Sequence, residues 1–374
     1  MKIMTSTLLV SGLLSGVFSS SFSLAADAPK VLLVLSSYGE KNAQGEMIKP
    51  GFEMDELSKA YLVFKDHGLD IELASPQGGK PHADNFNPEK SYNQQFLADS
   101  NAMEKLQNTL ALSSIDPADY RSVFVVGGKG PMFDLAQNQH LQATIRTIYE
   151  NHGVVGAVCH GPAALTKVKL STGEWLVANK RVSGFSEEEE AAFSKKWASQ
   201  FPFQLESMLI EQGATYVQDG LMLNQVSIDG NLITGQNPFS TVDTVKAMIK
   251  ALGIELKSTP EFQDDATIKL VERYFDNVET ASKHFQTHST DYDTMLLAMF
   301  GYYQAQHAQT EQQRNVAIKI MEDTLTAVNH PMLFLGLASS YEVNGQLSEA
   351  KHVLTLAQGK FPENQDIVSQ LVRY

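Results

Sequence analysis

Val154-Val155-Gly156-Ala157-Val158-Cys159-His160-Gly161-Pro162-Ala163-Ala164-Leu165 is the stretch on which the reading of this chain turns. An apolar run ends at a cysteine, and Gly161-Pro162 then starts a helix, with proline in the first turn, where its missing N–H costs nothing. Such a join resembles a nucleophile elbow. The thiol projects from a tight strand-to-helix turn at the positive end of the helix, which favours thiolate over thiol. In open α/β sheets the carboxyl ends of the strands are also where ligands bind. An inert core cysteine is the competing reading; it would more naturally replace a valine inside the strand than stand at its end.

Outward from this stretch, residues 30–254 alternate short apolar runs with amphipathic ones. Val31 to Leu35, Ile71 to Ala74, Val123 to Val126 and Val154 to Val158 read as buried parallel strands. Shorter runs at Arg181 to Phe185, Gln225 to Ile228 and Leu232 to Thr234 complete the set. Leu57, Tyr61 and Phe64 mark a helix from about Met54 to Asp66, and further helices are expected near 203–212 and 240–251. Together these predict a parallel α/β sheet covered on both faces. The pattern breaks at Ser258-Thr259-Pro260, and 262–374 reads as helices only. Within it Phe334, Leu337, Ala338, Tyr341, Gly345, Leu347, Ala350, Leu354, Ala357 and Pro362 are spaced like one tetratricopeptide repeat, with a plain helical hairpin as the alternative. Residues 292–328 are a candidate degenerate second copy. One repeat does not stand alone, so the tail is expected to pack on the α/β domain or another subunit. The expected divisions are 1–25, 28–254 and 255–374.

The 374 residues carry 29 Lys plus Arg against 43 Asp plus Glu, a net charge of −14 that repels phosphate backbones and makes nucleic acid a poor partner. Lys2, the uncharged run Leu8 to Leu24 and Ser23-Leu24-Ala25 before Ala26 have the three parts of a cleaved secretory signal over residues 1–25. A periplasmic or secreted protein follows, with no membrane association after cleavage. Cys159 is the one cysteine, so no internal disulfide can form in an oxidising compartment, and the thiol there is either buried or used. The ten histidines include no HExxH, His82 and Asp84 read as a short surface pair, and no metal site is expected. Gly127 to Gly130 lacks the Lys-Ser/Thr that completes a phosphate loop.

Six blocks carry a family resemblance: Gly51-Phe52 with Glu56-Leu57; Ala74-Ser75-Pro76 with Gly78-Gly79; Gly127-Gly128 with Gly130 and Asp134; Ala157 to Pro162; Gly184-Phe185 with Glu189-Glu190; and Leu232 to Pro238. In this order they resemble the ThiJ/PfpI superfamily, in its branch of glutathione-independent glyoxalases (glyoxalase III) and heat-shock chaperones. The resemblance spans about residues 30–254 and leaves the helical tail outside. It implies the α/β sandwich of the class I glutamine amidotransferase-like (flavodoxin-like) type.

The resemblance implies Cys159 as nucleophile, His160 as its partner and Glu190 as the acid orienting the histidine, with Glu189 a close rival. It gives Glu56 a contact with the cysteine sulfur; an ordinary first-turn acid is the alternative for this position, a role better suited to Glu53 and Asp55. Glu187 and Glu188 read as a solvated helix start. Where the family pattern is GGHGxxxD, this chain has Lys129 for histidine, and lysine cannot accept a hydrogen bond. Gly127 and Gly128 can still offer backbone N–H groups to an oxyanion, Gly128 foremost, with Lys129 beside them. Asp134 reads as a structural cap. The implied reaction takes a small reactive carbonyl such as methylglyoxal to a 2-hydroxy acid with no cofactor. The rivals are a Cys-dependent amide or peptide hydrolase or deglycase, and a non-catalytic chaperone or oxidation sensor. The tail is left three roles: capping a homodimer face, shading the pocket, or recruiting a protein partner.

Overall fold

Apolar runs too short for helices and buried on both sides build the centre of the molecule. The computed structural model describes residues 28–41, 47–48, 50–194, 196–258 and 261–374; the expected signal over 1–25 lies outside the described residues. Strands β1 (Lys30–Val34), β2 (Asp70–Ser75), β3 (Leu110–Ala111), β4 (Ser122–Val125), β5 (Val154–Val158), β6 (Val226–Asp229) and β7 (Leu232–Gly235) form a seven-stranded sheet in the order β6-β7-β5-β4-β1-β2-β3. Every neighbouring pair is parallel except the β6–β7 edge hairpin. Val34 lies opposite both Ala74 and Val125, and Val125 opposite Ala157, so the carboxyl ends of β1, β4 and β5 finish level. The expected run Arg181 to Phe185 is a strand only over Arg181–Val182, which pairs with Thr215–Tyr216 outside the main sheet.

Alternation along the strands sends side chains to two faces. Val31 and Leu33 pack with α1 (Met54–Asp66) and α7 (Thr241–Ala251), while Leu32 and Val34 pack with α4 (Gln139–Glu150). α4, and the pair α2 (Ser91–Ala98) and α3 (Ser100–Gln107), are elements the sequence reading had not placed. Two short helices, α5 (Glu187–Phe193) and α6 (Leu205–Glu211), lie between β5 and β6 in the chain.

The tail is helical throughout, as expected. α8 (Gln263–Asp276) with α9 (Val278–His288), α10 (Thr294–His307) with α11 (Glu311–Thr324), and α12 (Pro331–Val343) with α13 (Leu347–Lys360) are consecutive hairpins, each packed on the next, and α14 (Gln365–Leu371) closes the stack. The stack docks on the α/β domain. Lys59 of α1 is buried and reaches Asp264 at 2.9 Å and Asp265 at 2.7 Å, and the Tyr92 hydroxyl also donates to Asp264. Leu221 and Met222 enter one core with Ile268, Tyr274 and Phe300 of the tail. Among the described residues no helix is long and apolar enough to cross a membrane.

Candidate active site

Cys159 follows β5 directly with φ +59°, a left-handed conformation that costs a non-glycine residue about 1–2 kcal/mol. Long-range hydrogen bonds hold it: its N–H donates to Gly235 O at 3.1 Å, and its C=O accepts from Phe185 N at 2.8 Å. The strained turn aims a buried thiol off the end of the sheet. The segment behind it, Gly161–Leu165, is a single 3₁₀ stretch and not the α-helix that was expected. The expectation of a dipole-favoured thiolate therefore needs correction. Burial pushes the Cys159 thiol well up, with Glu56 next in weight, against a lowering hydrogen bond from the Gly128 N–H. Thiolate at this site must come from neighbours that take its proton.

His160 supplies one. Its Nδ1 lies 3.4 Å from Cys159 Sγ and its Nε2 2.6 Å from Glu190 Oε1, while its ring stacks on Phe185 at 4.5 Å. Burial raises the Glu190 carboxyl, but His160 with Ser194 and Lys129 outweighs it, and Glu190 ends below the usual carboxylate range. The choice between the neighbouring acids is settled by α5. Ser186 is its N-cap, and Glu189 closes a capping box by accepting from Ser186 N while its own N–H donates to Ser186 Oγ. Glu189 also accepts from Met222 N and Asn237 Nδ2, so it organises loops; Glu190, one residue on, faces the histidine. Glu188 is no free surface acid, since it pairs with His307 of the tail at 3.2 Å.

Glu56 is fully buried in the first turn of α1. Its Oε2 accepts from Gly127 N at 2.6 Å, its Oε1 makes no conventional hydrogen bond, and the carboxyl interacts with the Cys159 thiol. Burial, with Glu53 next, raises Glu56 well above the usual carboxylate range. Gly127 must be glycine, because a Cβ there would sit 2.7 Å from both Cys159 Cβ and Glu56 Oε2. Gly127 N–H is committed to Glu56, whereas the Gly128 N–H, presented by a φ of +89°, reaches the Cys159 sulfur.

Two more expectations are corrected. Glu53 is no exposed acid: it lines the pocket, and burial, with Asp55 next, lifts its carboxyl to about 7. Asp55 is tied to Lys90, Tyr92 and Asn93. Asp84 is likewise no loop ornament, for it holds Lys129 Nζ at 3.0 Å. Lys129, where the family pattern has histidine, thus stands as a tethered cation at the pocket wall. Asp134 accepts from Ser37 N at 2.8 Å and fixes the loop after β1, in keeping with a capping role.

A profile of the DJ-1/PfpI family matches residues 47–251. The chain belongs to the DJ-1/PfpI family. The glutathione-independent glyoxalase hsp3102 of Schizosaccharomyces pombe is 33% identical over 239 residues, covering 61% of this chain and 99% of that protein. Among solved structures, Rapid Encystment Protein 24 KDa of Francisella tularensis superposes with a TM-score of 0.56 at 33% identity, over 60% of this chain and 99% of its own. Glyoxalase III of Candida albicans gives 0.55 at 31% identity, over 61% and 98%. The DJ-1/PfpI match ends at residue 251, before α8, and the tail lies outside it.

The tail reaches the site. Cys159, His160, Gly128, Lys129 and Glu53 open into a cavity of about 250 Å³ whose apolar wall is Phe185, Phe193, Met222, Pro238, Phe239 and Met299. Met299 comes from α10, so the tail contributes a side chain to the cavity wall. Asn237 lay inside a motif block and its place was readable; Met222 and Met299 lay outside every motif block. Among the described residues no group of three or more His, Cys, Asp or Glu is arranged to hold a metal ion.

Proposed function

We propose that this protein is a glutathione-independent glyoxalase acting on methylglyoxal or related 2-oxoaldehydes, with Cys159 as nucleophile. One observation carries the reading: the cysteine faces two separate proton carriers, His160 on one side and Glu56 on the other. Amide hydrolysis needs a single base beside the thiol. Moving hydrogen between adjacent carbons needs a second group beside the sulfur, and the interaction of Glu56 with the Cys159 thiol supports that role. The names of the relatives point the same way.

In the proposed sequence Cys159 and Glu56 share a single proton between them; the sulfur adds to the aldehyde carbon as that proton passes to the carbonyl oxygen, giving a neutral hemithioacetal and leaving Glu56 as carboxylate. Gly128 N–H stabilises the oxygen while it is negative. Glu56 takes the C–H proton of the former aldehyde carbon and returns it to the neighbouring carbon; His160, oriented by Glu190, carries the hydroxyl proton from one oxygen to the other. The product is a thioester of the 2-hydroxy acid, an isomer of the hemithioacetal. Water cleaves it and restores the thiol, so the net reaction consumes only the oxoaldehyde and water.

The test is consumption of methylglyoxal by the purified protein without glutathione. Turnover to lactate, lost in both Cys159→Ser and Glu56→Gln, supports the reading. A wild-type protein that leaves methylglyoxal untouched while Cys159 is alkylated rapidly rejects it. We also propose export, on the strength of the Leu8 to Leu24 run; recovery from the extracytoplasmic fraction with Ala26 as first residue is the expected result.

A further inference from the structure

The pocket at Cys159 shares the Met299 side chain with a neighbouring space. On the other side of that side chain lies a second cavity, about 320 Å³, roofed by α10 and floored by the α11–α12 connection, with Met295, Tyr302, Tyr303, Met332 and Leu333 in its wall. Met299 lines both spaces. A second bridge lies beside it, for Phe193 of the first cavity and Tyr303 of the second meet edge to face at 4.8 Å. The junction is built from both parts of the chain and held there: Gln304, one turn beyond Phe300 on α10, donates to Leu221 O at 2.6 Å, and Met222, in a left-handed conformation at φ +63°, lines the catalytic pocket opposite.

The second cavity carries no charged carboxylate, lysine or arginine in its lining, and His330 and the tyrosine hydroxyls are its polar groups. Three methionines around it are exposed to water although apolar: Met295 at 49%, Met299 at 40% and Met332 at 43%. Unbranched, polarisable methionine side chains adapt to apolar ligands of varied shape. A three-carbon oxoaldehyde is far smaller than the first cavity alone, so the adjoining apolar space is surplus to methylglyoxal.

We infer that the two cavities form one substrate site, in which the oxoaldehyde end sits at Cys159 and the tail cavity takes an extended aliphatic or aromatic substituent, with Met299 as the specificity-determining wall between them. The inference rests on the glyoxalase reading for the reacting group, but not for the apolar subsite. The substituent makes no covalent bond; its contribution is burial, each methylene adding about fourfold to relative affinity when fully enclosed.

The experiment has two arms with the full-length protein. In the first, kcat/KM is measured for methylglyoxal, hexylglyoxal and phenylglyoxal in wild type, Met299→Trp and Met332→Glu. Wild type is expected to favour the larger substrates by about tenfold or more. Met299→Trp, which fills the passage, and Met332→Glu, which puts a charge in the far cavity, are each expected to lower the large-to-small ratio at least fivefold. In the second arm, alkylation rates of Cys159 by N-methyl- and N-hexylmaleimide are compared in the same proteins. This arm needs no glyoxalase chemistry. If no oxoaldehyde is consumed yet the hexyl preference is present and lost in both variants, the glyoxalase reading falls and the apolar subsite stands. Equal rates for short and long reagents in wild type, or a preference untouched by Met332→Glu, overturns the subsite. Circular dichroism on each variant separates these outcomes from misfolding.

Discussion

The two sides of the pocket are built on opposite terms. On the sheet side, Cys159, Gly127, Gly128, Glu56 and His160 are buried, two backbone positions are left-handed, and polar contacts cross long stretches of chain at 2.6 to 3.1 Å. On the tail side, Met295, Met299 and Met332 are half exposed and line an apolar cavity. Strained, hydrogen-bonded backbone fixes reacting groups to the small tolerances that chemistry needs, whereas flexible apolar side chains set what fits without fixing a geometry. Reactivity and selectivity are thus placed on different parts of the chain, joined by the buried Lys59 cluster and the Gln304 contact.

The sharpest way to break this division is at the sulfur. Cys159→Ser is expected to lower kcat/KM for any accepted oxoaldehyde by about 10³-fold or more, because the hydroxyl is a far poorer nucleophile beside the same bases. Its thermal midpoint should stay within a few degrees of wild type, and scanning calorimetry checks this. A large loss of stability would mean that the cysteine is chiefly a packing residue.

Glu190→Gln comes next. The amide still fills the space but cannot accept and hold the His160 Nε2 proton as a carboxylate does, and a drop of about 10²–10⁴-fold in kcat is expected with KM little changed. A matching rise in KM would instead place Glu190 in substrate binding. On the tail side, Lys59→Met leaves Asp264 and Asp265 buried without their cation, a loss of about 3–5 kcal/mol. Limited proteolysis should then cut between residues 252 and 263 faster than in wild type, while alkylation of Cys159 by a small maleimide proceeds at an unchanged rate. If both fail together, the two regions do not separate as described.

How much of this the sequence disclosed follows the same division. The elbow is local: Val154 to Leu165 contains the strand, the nucleophile, its histidine and the turn, so twelve consecutive residues carry it. The Glu189–Glu190 ambiguity was also soluble in principle, since Ser186-Glu187-Glu188-Glu189 has the S-x-x-E form of a capping box, which commits Glu189 to the helix start and leaves Glu190 to turn toward His160. The state of the thiol was misjudged because burial is a property of the whole fold, and the helix whose dipole was invoked is one 3₁₀ stretch. Glu53 was assigned to an exposed helix start for the same reason. Met299 was out of reach, although α10 did give a hint: Leu296, Leu297 and Phe300 face a core while Met295 and Met299, four apart, are apolar on another side. A helix apolar all round demands a second apolar partner, and spacing cannot say that the partner is the pocket.

The smallest effect sought is one of pH, and it tests whether the loops at the junction share the chemistry of the turn. Burial, outweighing its hydrogen bonds to Asn237, Ser186 and Met222, lifts the Glu189 carboxyl to about 7. In the unfolded chain the group titrates near the ordinary 4.5. Between these values the folded state holds the proton and the unfolded state does not, so the stabilising contribution is complete below about 4.5 and is lost as pH rises through about 7. The midpoint of thermal unfolding should therefore fall across that window, and Glu189→Gln, which keeps the Oε1 acceptor and cannot ionise, should flatten the fall. Glu53, lifted to about 7 on the pocket side, leaves a further slope that a Glu53→Gln, Glu189→Gln double variant reduces to the part set by Glu56, Asp134 and Asp265, which burial also lifts. Because Glu189 accepts from Met222 N while Met222 lines the pocket, the same ionisation strengthens that hydrogen bond and should hold the Met222 loop more firmly, lowering KM for the larger oxoaldehydes above pH 7 while leaving the alkylation of Cys159 by small reagents on its own pH profile. A KM that tracks the thiol titration instead would mean that the two sides of the pocket respond as one.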